Sequence, residues 1–136
     1  MPTETDAATA SPVVDPTTTY LHFGEGPEVR RIPLDPGFWA TIGQRSDLQR
    51  GRLLTSFRHE ADWTSWERHP TGDELVYLVD GSATIHLDDG TDVTSHRLAP
   101  RQAVLVPAGT WHTADVHEPG HVLVLTWGEG TENRPR

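Results

Sequence analysis

Four side chains stand at spacings that suit a metal ion: Glu67, His69, Glu74 and His112. Neutral imidazole and carboxylate are the usual non-sulfur ligands of divalent transition metals. Glu67 and His69 are two residues apart, so in an extended segment both point to one face. Pro70-Thr71-Gly72-Asp73 reads as a turn that delivers Glu74 to the head of an apolar run. Pro107-Ala108-Gly109 reads as a second turn, delivering His112 to the start of another strand. Gly72 and Gly109 are expected to adopt backbone angles that other residues avoid, and Pro70 and Pro107 to fix the chain beside each ligand. Two imidazoles and two carboxylates would fill four positions and leave room for water or substrate. Such a hard, negative set favours iron(II) or manganese(II), with zinc and nickel as alternatives. Glu67 has two other readings. It could be a catalytic general base, its pKa raised because Glu74 opposes double ionisation, or a residue that is solvated or that pairs with Arg58.

The elements that must position these residues are short. Strand-like runs at 20–23, 29–34, 51–60, 75–79, 83–87, 93–98, 103–106, 110–117 and 122–127 are separated by Gly, Pro and Asp. Asp88-Asp89-Gly90-Thr91 is a hairpin turn signal. One short helix is expected over 35–42, with Asp35 as N-cap and Pro36 in first helical position. About eight to ten strands at regular spacing predict an all-β sandwich or barrel. Residues 1–18 are rich in Thr, Ala, Pro and Asp and are expected to form a flexible N-terminal arm; 19–128 form one domain, and 129–136 a C-terminal tail of the same character as the arm.

Bulk properties narrow the function classes. The chain has 136 residues, enough for one domain with a real core. Its net charge of −9 argues against nucleic-acid binding and against docking on anionic lipid. It has no cysteine, which excludes disulfides, thiolate metal sites and cysteine nucleophiles. The N-terminus has no signal-peptide pattern and no apolar run is long enough to span a bilayer, so a cytoplasmic location is expected.

The two turn-and-ligand segments resemble the two motifs of the cupin superfamily. The common first motif is His-x-His, three or four residues, Glu, six residues, Gly; this chain has Glu67-x-His69, four residues, Glu74, six residues, Gly81. The second is Pro-x-Gly, two residues, His, three residues, Asn; here it is Pro107-x-Gly109, two residues, His112, with Val116 in place of Asn. The resemblance implies a small jelly-roll β-barrel, often dimeric, and a metal held by His69, Glu74 and His112, with Glu67 in place of the usual first histidine. It implies a metal-dependent enzyme on a small organic molecule. Dioxygenase chemistry fits a site of two histidines and a carboxylate, and isomerase, lyase and cyclase reactions occur on the same scaffold. A sensor barrel that binds a small ligand without catalysis, and a vestigial barrel without metal, are the alternatives.

Other residues carry weaker expectations. His59 shares parity with Leu53, Thr55 and Phe57, and so faces either the lumen or a structural partner. His22, His86, His96, His117 and His121 are expected at edges or in solvent. Trp111 should point away from the lumen, while other tryptophans fill the core or wall an apolar pocket. Arg58 is the strand cation best placed to meet an anionic substrate.

Overall fold

The computed structural model describes residues 11–136; the first ten residues of the expected N-terminal arm lie outside the described residues. The strands are β1 (Thr19–Phe23), β2 (Val29–Pro33), β3 (Arg52–His59), β4 (Ser65–Arg68), β5 (Glu74–Leu78) and β6 (Ser82–Asp88). They continue with β7 (Val93–Leu98), β8 (Ala103–Val106), β9 (Trp111–Glu118), β10 (Gly120–Thr126) and β11 (Glu132–Pro135). Successive side chains of a strand face opposite ways, and β5 shows the consequence. Glu74, Val76 and Leu78 are buried, whereas Leu75 and Tyr77 are half-exposed on the other face. The ligand candidate thus continues an inward apolar row.

All pairings are antiparallel and build two sheets, ordered β2-β1-β3-β10-β5-β8 and β11-β4-β9-β6-β7. Between them lies a core of Val76, Leu78, Ile85, Leu98, Val106, Ala114, Val122 and Val124. This is the all-β jelly-roll barrel expected. A second cluster of Tyr20, Ile32, Phe38, Leu48 and Leu53 packs the helical segment against β1–β3. No helix among the described residues is long and apolar enough to cross a membrane.

Three local expectations change. The single helix over 35–42 is instead α1 (Phe38–Thr41), a 3-10 turn (Ile42–Gln44) and α2 (Ser46–Gln49). Asp35 does not cap it. Its carboxylate accepts from Gly37 N–H at 3.1 Å, which closes a turn before the helix starts. The C-terminal segment 129–136, expected as a tail, contains β11, paired with β4. It is held by side chains on the outer sheet face: Arg134 lies over Trp111 (4.5 Å) and Trp66 (5.1 Å), and Arg68 pairs with Glu132. Hydrophobic periodicity cannot reveal a strand fixed by arginine–tryptophan stacking. Gly72, expected to need unusual backbone angles, has no positive φ. A methyl group there would instead collide with Cβ of Trp127. Gly109 and Gly81 do have positive φ, 80° and 81°.

Candidate metal centre

Glu67 and His112 are register partners across β4 and β9, so both side chains enter the barrel together. His69 follows β4 by one residue, on the same side as Glu67. Glu74 opens β5 and pairs with Thr126 on β10. The two turns are tied to each other: Gly109 N–H donates to His69 O (2.9 Å) and Ala108 N–H to the Asp73 carboxylate (2.9 Å). Two motifs distant in sequence thereby become one rigid loop pair.

The four candidate ligands converge, with one ligand atom from each lying within 4.8 Å of the others. Nε2 of His69 is 2.7 Å from Glu74 Oε2 and 3.0 Å from Glu67 Oε1. Nε2 of His112 is 2.8 Å from Glu74 Oε1 and 3.9 Å from Glu67 Oε1. Three of the four side chains are buried; only Glu67, 37% exposed, reaches solvent. Despite these distances, His69 Nε2, His112 Nε2 and Glu74 Oε1 are buried without a hydrogen bond. Buried polar atoms left unpaired cost about 1–3 kcal/mol each, more when charged. Two imidazoles and two carboxylates converging this closely, with buried polar atoms left over, are a donor set a cation satisfies, so these residues fit a divalent metal.

Flanking groups orient the ligands. Thr131 Oγ donates to Gly128 O (2.7 Å), which leaves its oxygen to accept from His69 Nδ1–H (2.8 Å). That fixes the tautomer with Nε2 free for a metal. Thr126 Oγ donates to Glu74 Oε2 at 2.6 Å. Burial opposes ionisation of Glu74, but the imidazoles of His112 and His69 outweigh it and hold the pKa down at about 2. Burial likewise opposes an imidazolium at His69, but Glu67 and Glu74 outweigh it and raise the pKa to about 9. The cluster is thus a paired carboxylate–imidazolium when free of metal.

A cavity of about 650 Å³ opens onto Glu67, His69 and Glu74. Its walls include Trp39, Ile42 and Leu48 from the helical segment, and Leu53, Thr55 and Phe57 from β3. Sequence reasoning missed the helical wall and both orienting threonines. Thr126 was findable once β10 is set against β5, because it falls opposite Glu74. Thr131 carried no signal in a segment expected to be a tail.

The remaining candidates lie elsewhere. His59 is buried, its Nδ1 accepting from Trp63 Nε1–H at 3.2 Å, and burial pushes its pKa down. His22, expected in solvent or at an edge, is buried and donates to Arg50 O (2.8 Å). His86 bridges Ser95 (2.7 Å) and Asp115 (2.8 Å) across three strands on the outer face. Arg58 is exposed and paired with Glu60, outside the cavity, so it meets neither Glu67 nor a bound substrate there. Trp111 points outward, stacked under Arg68 and Arg134.

A family model described as "Cupin domain" matches residues 54–128. No curated protein sequence matches the chain. Among solved structures, peruvianin-I from Thevetia peruviana latex, a cysteine peptidase, aligns with TM-score 0.52 and 15% identity, over 62% of this chain and 56% of that one. This chain has no cysteine, so the likeness is one of fold. Oxalate decarboxylase aligns with TM-score 0.51 and 14% identity, over 62% of this chain and 23% of that one. Hydroquinone 1,2-dioxygenase from a Sphingomonas species aligns with TM-score 0.47 and 18% identity, over 54% of this chain and 57% of that one. The chain therefore spans little more than half the length of that dioxygenase and of peruvianin-I. With both motif segments inside the matched residues and the two-sheet barrel around them, the chain belongs to the cupin family.

Proposed function

We propose that the protein is a metal-dependent enzyme acting on a small organic molecule in the barrel cavity. The observation that supports this reading most is the convergence of His69 Nε2, His112 Nε2 and Glu74 Oε1, all buried and none hydrogen-bonded, beside an open cavity. Glu67, His69, Glu74 and His112 would hold the ion, with iron(II) or manganese(II) favoured by the two carboxylates and zinc or nickel as alternatives. When bound, the ion would supply Lewis-acid chemistry at a substrate oxygen, or a centre for dioxygen. Dioxygenase chemistry is the favoured class, with isomerase, lyase or cyclase chemistry using the same groups.

The chain's own residues have distinct tasks. Thr131 and Thr126 hold His69 and Glu74 in place. Phe57 and Trp63 exclude water beside the cluster. Of the four, Glu67 is the one that would serve as general base where it stays off the ion: it borders the cavity, it is the most exposed, and its Oε1 is the more remote carboxylate from His112. A homodimer belongs to the proposal, as the likeness to small cupin barrels implies.

Water-proton relaxation of the Mn(II)-loaded protein tests this reading. Exchangeable water on the bound ion is expected, because a catalytic site keeps open positions. A bound ion with no exchangeable water would refute the enzyme reading and leave a structural metal or a ligand-binding barrel.

A further inference from the structure

We propose that the cavity selects an uncharged, largely apolar ligand of aromatic-ring size and turns anions away. This rests on the cavity being the substrate pocket proposed above. About 650 Å³ lies within the range of small-molecule sites. Aromatic surface runs without a break from the mouth to the ligand cluster. Trp39, 52% exposed, is 6.3 Å from Phe57 between ring centroids; Phe57 is 6.4 Å from Trp63, and Trp63 is 6.1 Å from His112. A flat apolar ligand can pack against these rings at the offset and edge geometries aromatic pairs prefer. The other polar wall groups are neutral hydroxyls, among them Thr55, Thr64, Ser65 and Thr126.

Charge sharpens the selection. All eleven Lys-or-Arg positions are arginine and none lines the cavity; the His69 imidazolium of the metal-free form is held between Glu67 and Glu74, 3.0 and 2.7 Å away, so the wall keeps a net negative charge. Seven of the arginines are ion-paired outside the cavity, including Arg58 with Glu60, Arg68 with Glu132 and Arg134 with Asp88. The formal negative charges in the walls are Glu67 and Glu74. A divalent ion held by both carboxylates leaves the site without net positive charge, so an entering anion gains direct coordination alone and no long-range attraction. A carboxylate or phosphate would shed its hydration against apolar rings with no arginine beside it to form an ion pair. A hydroxyl or carbonyl would find the threonine and serine hydroxyls instead.

Calorimetric titration of the full chain with 2-naphthylmethanol, 2-naphthoate and 2-naphthyl phosphate tests this, on both chelator-treated and Mn(II)-loaded protein. Metal content is measured separately. The alcohol is expected to bind both forms at least about tenfold more tightly than either anion. Thr64→Arg, at the exposed mouth, should narrow that gap for naphthoate without loss of folding. Either anion binding either form as tightly as the alcohol, or no binding of the alcohol, would overturn the proposal. Failure of Mn(II) to bind with the preference for the alcohol intact would refute the metal-enzyme reading alone and uphold the selectivity.

Discussion

Loading a divalent ion at neutral pH should drive a proton off His69. Burial disfavours its imidazolium, but Glu67 and Glu74, 3.0 and 2.7 Å from Nε2, hold the pKa up at about 9. A metal ligand must be neutral, so uptake releases this proton at any pH below about 9. The step from pH 7 to the His69 pKa corresponds to roughly 3 kcal/mol of competition by the proton. The apparent Kd for Mn(II) should therefore fall about tenfold per pH unit between about pH 6.5 and 8.5, where an unperturbed histidine would give a profile that levels off above about pH 7. Calorimetry in two buffers of different ionisation enthalpy would count the proton directly. The metal-free protein should show the opposite trend. The folded pKa of His69 lies above its ordinary 6.5, so its stabilisation is complete below 6.5 and is lost as pH rises through about 9. Glu74, held at about 2 against an ordinary 4.5, contributes above 4.5 and loses that contribution as pH falls through about 2. Urea unfolding with chelator present should thus give greatest stability between these two limits, and metal should stabilise more at pH 8 than at pH 6.5. A Kd flat above pH 7, with no proton released, would refute the reasoning.

Three further outcomes follow from particular contacts. Thr131→Val keeps the shape but removes the acceptor for His69 Nδ1–H, and should weaken metal binding by about tenfold or more, measured by competition with a chelator dye; an unchanged Kd would deny Thr131 its orienting role. Glu67→His makes the donor set softer and less negative, so copper(II) or zinc should gain on manganese(II) in competition titrations; an unchanged preference would mean that Glu67 is not a ligand. Gly72→Ala forces a methyl group into Trp127 and should cost about 1–3 kcal/mol in urea unfolding, whereas a neutral effect would show that the turn can move.

The barrel was legible because its inward positions alternate cleanly, as in Val76 and Leu78, and because Gly81 and Gly90 mark the turns into and out of β6. The four-residue cluster was legible because two turn-flanked segments each carry ligands at fixed offsets, and strand parity turns those offsets into a shared face. Its supports were not. Thr131 and β11 depend on a hydrogen bond to His69 and on arginines stacked over Trp66 and Trp111, contacts between residues distant in sequence that have no local pattern. Arg58 misled because its own neighbour, Glu60, takes its charge. The cavity wall from Trp39 to Leu48 escaped because three short helical pieces of three or four residues carry no readable period.

Metal content tests the central claim most directly. Elemental analysis of the wild-type protein, purified without a histidine tag and offered iron(II), manganese(II) and zinc, should find about one ion per chain, as a single four-ligand site requires. The same analysis on folded His112→Gln and Glu74→Gln variants should find the ion lost. No bound metal in the wild type, or equal content in both variants, would contradict the account.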